Sequence, residues 1–209
     1  MGAGRHGGPA ISYLVRTVDR RAWVWPAIDE RVEEGPHAPW WTPNLERFRG
    51  YALNPTAELL GYLYAYRAGV PDDVLDRVTQ TVLAALAAAG VIESPYELMC
   101  CMRLAQTDAA PVEVRHALHG LLMPSLEVVD PNDGHLDLLR LTPTPLSFGY
   151  DVVRGGLEQQ AERLIASQAE DGGWRPTWDA WNAEAHAEWC GVITSQAVIG
   201  LFAHGFVAT

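Results

Sequence analysis

Apolar residues recur along this chain at helical spacing, and turn residues cut the pattern into segments. Ile11, Leu14, Val15 and Val18 fall on one stripe and predict a first helix. Asn54 as cap and Pro55 at the first helical position open a second, which closes at Gly69. Pro71 and two acids, Asp72 and Asp73, start a third that ends at Gly90. Ser94, Pro95 and Glu97 form a capping box at the start of a fourth. A fifth runs from Pro111 through "PVEVRHALHGLL". Residues 124–151 hold no sustained period and read as a long irregular connection. Helices are expected again over "VVRGGLEQQAERLIASQ" and over "VITSQAVIGLFAHG". No segment alternates as a strand does. The pattern predicts an all-α protein built of stacked α-hairpins, with two long Trp-rich loops.

Those loops are related. Trp25 and Trp174 lie 149 positions apart, as do His37 and His186, Ala38 and Ala187, and Trp40 and Trp189. Gly61 and Gly200 continue the match at an offset of 139. The unit is helix, Trp-rich loop, helix. It occurs twice, over about 10–69 and 155–205, within what reads as one domain covering 1–209. All 8 Trp fall in the two copies.

The second copy carries a family resemblance. Gln168, Asp171, Gly172, Gly173 and Trp174, in "AERLIASQAEDGGW", resemble the repeat of the terpenoid cyclase and protein prenyltransferase superfamily, which includes squalene-hopene cyclases. "GVITSQAVIGL" resembles that superfamily's next helix, entered through Thr194. The first copy is degenerate: Val18 replaces the Gln, and "RRAW" replaces "DGGW". The resemblance is specific over the C-terminal part and diffuse elsewhere. It implies an α/α-toroid, or an open part of one, around an aromatic cavity for an apolar, isoprenoid-like ligand. The chain supplies too few hairpins to close such a ring. A second copy or a partner is therefore expected to cover the open end.

The superfamily's chemistry does not carry over residue by residue. Squalene-type cyclases resemble one another in a DxDD acid, and the chain has no such motif. No DxC pair of the zinc-dependent prenyltransferases occurs either. Cys190 and His186, at i,i+4, lack a third ligand, so no metal and no cofactor are expected. Asp72, Asp73 and Asp76 spell DDxxD, the magnesium-diphosphate motif of class I terpene synthases. They also make an ordinary acidic helix start, which is the simpler reading. His116, His119 and His135 read as solvated positions rather than ligands. Tyr51, Tyr62, Tyr64 and Tyr66 could line a cavity or sit in the core.

The loop histidines are the remaining candidates. His37 and His186 are expected in loops, each three residues before a Trp, with Asp29, Glu30, Asp179, Glu184 and Glu188 nearby. Asp179, His186 and Glu188 are candidate acid–base residues. Trp25, His37, Trp40, Trp41, Trp174, Trp178 and Trp189 are candidate ligand contacts, whose rings could also stabilise positive charge. The competing reading is structural: each His braces a loop, and Trp174 is mortar between helices. Two functions follow, a cyclase-like or prenyltransferase-like protein that binds or transforms an apolar ligand, or a module that keeps the fold without catalysis.

Composition narrows the setting. The chain has 209 residues, 48% of them hydrophobic, enough for a packed core. A net charge of −11 argues against nucleic acid and anionic membranes as partners. All 15 basic residues are Arg, which excludes a Schiff-base Lys and a Walker-type phosphate loop. The 3 Cys show no CxxC spacing and read as reduced intracellular thiols. No signal-peptide pattern and no long apolar run occur, so a cytoplasmic protein is expected.

Overall fold

The computed structural model describes residues 8–28, 31–37, 41–42 and 45–207. Helices dominate, and no strand occurs among the described residues. The elements are α1 (Gly8–Thr17), a single 3-10 turn (Val32–Glu34), α2 (Leu45–Arg49), α3 (Thr56–Ala65), α4 (Asp72–Ala89), α5 (Pro95–Ala105), α6 (Val112–Glu127), α7 (Leu138–Leu141), α8 (Tyr150–Ala166) and α9 (Ala183–Ala203). The chain forms two compact units, Met1–Ser125 and Leu126–Thr209. Each contains one Trp loop with a helix before it and a helix after it. No helix among the described residues is long and apolar enough to cross a membrane.

In the first unit, α3 packs against α4 and α5. Its Leu60 and Leu63 are fully buried, each contributing roughly 1.5–3 kcal/mol of transfer free energy. Gly61 permits the approach to the end of α5: a Cβ there would stand 3.7 Å from the Leu104 Cα and 3.0 Å from Oγ1 of Thr107, just beyond that helix. The α3–α4 contact carries a hydroxyl pair, Tyr64 Oη to Thr79 Oγ1 at 2.7 Å. The helix begins later than its sequence suggests. Pro55, not Asn54, holds the cap position, because the Asn54 amide faces α5 and accepts from the Cys100 thiol at 3.6 Å. It also ends earlier, at Ala65, and Gly69 lies in the turn beyond.

The capping box of α5 forms only in half. Ser94 Oγ accepts from the Glu97 N–H at 3.4 Å. The Glu97 carboxylate instead accepts the N–H of Leu53 at 2.9 Å, tying the residues before α3 to the start of α5. A tertiary donor has replaced the local one. Helix α6 runs beyond the expected "PVEVRHALHGLL" and through Pro124. The extension is anchored by Ser125, whose hydroxyl accepts the N–H of Ile92 at 2.9 Å.

In the second unit, the stretch expected to be irregular contains α7. Asp137 caps it by accepting from the Arg140 N–H at 3.3 Å, and Leu138, Leu139 and Leu141 are buried. Gln160 of α8 holds this stretch in place: its amide donates to the carbonyls of Pro131 (3.1 Å) and Leu136 (2.7 Å) and accepts from the Leu138 N–H (2.9 Å). Three bonds from one side chain do the work that a helical period would otherwise do. Helix α7 packs against α8 and α9. Gly200 of α9 meets Leu139, where a Cβ would lie 3.0 Å from the Leu139 Cβ.

Helix α9 differs from expectation in the way that matters most for function. It begins nine residues earlier than "VITSQAVIGL", with the Asn182 side chain accepting from the Ala185 N–H at 2.8 Å. His186, Glu188 and Trp189 are therefore helical, not in a loop. The sequence reading missed this start because Asn182 follows a run of Trp that reads as loop.

Candidate functional site

The two Trp loops share one set of bonds. In the first, the Trp25 indole donates to the Leu14 carbonyl at 3.2 Å, and the Trp25 backbone N–H donates to Thr56 Oγ1 at 3.1 Å. In the second, the Trp174 indole donates to the Leu164 carbonyl at 2.7 Å, and its N–H donates to Thr194 Oγ1 at 2.9 Å. Each ring ties the helix before the loop to the helix after it. Both are buried, Trp25 at 4% exposure and Trp174 at 5%. An indole has one N–H, and here it is spent on a backbone carbonyl. These two rings serve the core of their units.

The turns before them also correspond. The Asp19 N–H donates to the Val24 carbonyl at 3.0 Å, and the Ala169 N–H to the Gly173 carbonyl at 2.9 Å. Trp23 then occupies the place of Gly172, 149 positions on, and both are left-handed, with φ of 58° and 82°. A non-glycine residue rarely adopts that conformation. The Trp23 ring has the guanidiniums of Arg20 and Arg77 over it, at 5.1 and 5.4 Å from its centroid, which offsets part of the cost. In the second loop Gln168 spans the turn instead, donating to the Gly172 carbonyl at 2.8 Å.

The paired histidines are not equivalent. His37 sits between the Gly35 carbonyl (Nδ1, 2.8 Å) and the Thr42 hydroxyl (Nε2, 3.0 Å), so both ring nitrogens brace its loop. With Trp41, Ile28, Val32 and Pro36 it lines a cavity of about 510 Å³. Trp40, Asp29 and Glu30 lie outside the described residues. His186 is exposed on α9 and meets a side chain rather than backbone: its Nδ1 lies 3.6 Å from Cys190 Sγ. The i,i+4 spacing on a helix produces that contact.

The candidate carboxylates do not join His186. Among the described residues, no hydrogen bond or ion pair links Asp179 or Glu188 to it; both are exposed. Glu188 stands two positions along the helix and so projects from a different side. Trp178 and Trp189 are brought together, edge to face with centroids 5.4 Å apart, and both stay about half exposed. Two of the three acids of the DDxxD segment are engaged by arginines. Asp72 pairs with Arg67, and Asp73 lies 3.9 Å from Arg20. Tyr62 and Tyr66 are exposed while Tyr64 is half-buried, so the three do not share one lining. Thr56 was missed by sequence reasoning, although it stands 138 positions before Thr194, close to the Gly61–Gly200 offset.

Compared with protein-family models, curated proteins and solved structures, the chain matches none. The resemblance to the cyclase superfamily thus rests on the residues of the second Trp loop.

Proposed function

We propose that the chain is a non-catalytic binding module for a small apolar ligand, seated at the first Trp loop. The observation that carries this reading is the open pocket of about 510 Å³ in which Ile28, Val32, Pro36 and Trp41 lie beside Arg31, Glu34 and His37. That size and lining suit one small molecule. Both nitrogens of His37 are bonded to its own loop, so the ring braces the pocket wall and gives it a polar marker. The cyclase-like residues of the second loop support an isoprenoid-like ligand over other apolar compounds. A cyclase or prenyltransferase reaction has no assembled acid–base pair behind it among the described residues, so binding is the stronger reading. Coverage of the apolar residues Val198, Ile199 and Phe202, exposed on α9, by a second copy belongs to the same proposal. Light scattering that finds only monomer removes that part.

Native mass spectrometry of the purified chain, before and after organic extraction, tests the ligand. A co-purified lipid, or tight binding of an isoprenoid alcohol weakened about tenfold by Trp41→Ala, is expected if the ring forms the cavity wall. A clean protein that ignores a panel of isoprenoid alcohols and diphosphates ends the proposal.

A further inference from the structure

Asp76, the third acid of the DDxxD segment, is held by no arginine among the described residues, and it lines a second pocket. This pocket is open, of about 320 Å³, and lies within the first unit, where the end of α3, the first half of α4 and the start of α6 meet. Its polar side chains divide into spent and unspent. The Arg67 guanidinium is spent: it donates to the Val70 carbonyl and pairs with Asp72. Tyr64 Oη and Thr79 Oγ1 are bonded to each other at 2.7 Å, which uses one of their two hydroxyl hydrogens and leaves lone pairs on both oxygens. Asp76 and Gln80 are unspent: neither makes a hydrogen bond or ion pair among the described residues. They stand at i,i+4 on one face of α4, so a carboxylate and an amide meet the pocket together. Burial raises the Tyr64 phenol, the Thr79 bond opposes it and the Asp76 charge adds to the rise, so that hydroxyl stays protonated at neutral pH.

We propose that this pocket binds a small primary ammonium with a short apolar tail, its nitrogen on Asp76 and Gln80 and its tail against Leu75, Pro111 and Val114. The assignment does not depend on the ligand proposed for the first Trp loop, whose pocket shares no lining residue with this one. Charge decides the sign. Arg67 and Asp72 offset one another, so the uncompensated charge in the pocket is the Asp76 carboxylate. An ammonium carries only donors, and the Asp76 oxygens, the Gln80 carbonyl and the hydroxyl pair can all accept. A charge-assisted bond is roughly twice as strong as a neutral one, which favours an ammonium over an alcohol of the same shape. A carboxylate or phosphate would meet a like charge at Asp76. A metal ion needs several hard ligands, and no group of three His, Cys, Asp or Glu that could hold one occurs among the described residues. Size sets the upper limit: about 320 Å³ is at the low end for ligand pockets and suits a compact amine rather than a peptide. The net charge of −11 draws cations toward the chain, and Asp76 gives one a place to stay.

The test titrates the full isotope-labelled chain with n-butylammonium chloride at pH 7 and constant ionic strength, followed by amide NMR spectra. The matched probes are n-butanol, which keeps the tail without the charge, and n-butyrate, which reverses it. Saturable shifts centred on Leu75–Gln80 and Val114 are expected with butylammonium, and binding at least about tenfold weaker with butanol and butyrate. Asp76→Asn is expected to weaken butylammonium about tenfold. Asp73→Asn removes the same charge from a residue of α4 outside the pocket and is expected to change the affinity by less than about twofold. Asp76 and Asp73 are both exposed, and the spectrum of each variant reports its fold directly. Shifts that do not saturate, or that centre on Ile28–Trp41 instead, overturn the proposal. So does butanol or butyrate that binds as tightly as butylammonium, or an equal loss in the Asp76→Asn and Asp73→Asn variants.

Discussion

The backbone N–H of Trp174 donates to the Thr194 hydroxyl at 2.9 Å, across a loop that separates them by 20 positions. Trp25 makes the same bond to Thr56, which is fully buried, at 3.1 Å. Two threonines, each on the helix after its loop, receive the two tryptophans that the repeat aligns. Thr56→Val keeps the shape and removes the acceptor, leaving a buried N–H unpaired at a cost of about 1–3 kcal/mol. Thr194→Val is expected to cost less, since Thr194 is only half-buried. Thr→Ser at either position should recover most of the loss. Thermal unfolding of the variants measures this, and a Thr56→Val midpoint equal to the parent's contradicts it.

Two adjacent glycines of α8 are expected to respond in opposite directions. A Cβ at Gly156 would lie 2.9 Å from the Pro131 Cβ and 3.3 Å from Leu138 Cδ1, whereas one at Gly155 meets nothing within 4 Å. Gly155→Ala removes a helix-weakening residue and should stabilise by about 0.5–1 kcal/mol. Gly156→Ala must push Pro131 aside and should destabilise by about 1–3 kcal/mol. Denaturation curves of the two single variants settle the comparison; a shared sign would mean that the Pro131 contact is not what requires Gly156.

Asp137 caps α7 from a half-buried position. Burial raises its carboxyl above the usual value, against the opposing pull of the Arg140 and Leu139 N–H groups and the Arg140 charge. A raised folded-state value means that the native chain binds the proton more tightly than the unfolded one. Stability from this group is therefore present at low pH and is lost as pH rises from the unfolded value, near 3.8, through the raised folded one. Asp137→Asn keeps an acceptor for the cap and abolishes the buried charge. It should stabilise the chain at pH 7, with the advantage shrinking to nothing as pH falls through that window. An advantage that is independent of pH would assign the effect to something other than ionisation.

Thiol accessibility should separate the cysteines cleanly. With Cys100 raised to about 12 and Cys101 buried, an aromatic disulfide reagent at neutral pH is expected to titrate one thiol of 3 in the native chain and all 3 in denaturant. Cys190→Ser should reduce the native count to zero. A native count of three would show that α5 opens readily on the timescale of the assay.

Much of the helical pattern was legible because local chemistry decided it. The stripe of Ile11 and Val18 is buried as its spacing requires, and α4 runs from Asp72 to Ala89 between the Pro and Gly that announce it. The pairing of Trp25 with Trp174 could be read from offsets alone, and the bonds to Leu14 and Leu164 give it a structural meaning. Less was legible where a distant group competes with a near one. Glu97 prefers the Leu53 N–H to its own capping box, and Asn54 prefers the Cys100 thiol to its own helix. Helix α7 has too few residues to show a period, and its place depends on Gln160, 22 positions away.

The amino-acid sequence by itself determined an all-α chain, the limits of α4, the start of α5 and the existence of two related Trp loops, because propensity, capping and periodicity act over a few residues at a time. Only the tertiary structure decided what the repeated residues do. Trp25 and Trp174 are spent on backbone carbonyls in the core, whereas Trp178 and Trp189 meet at the surface. His37 braces a loop, while its counterpart His186 lies in a helix one turn from Cys190. The same residue type at the same offset takes a different role because the early start of α9 rotates His186 away from loop backbone and onto a helix face, where its neighbour four positions on is a thiol.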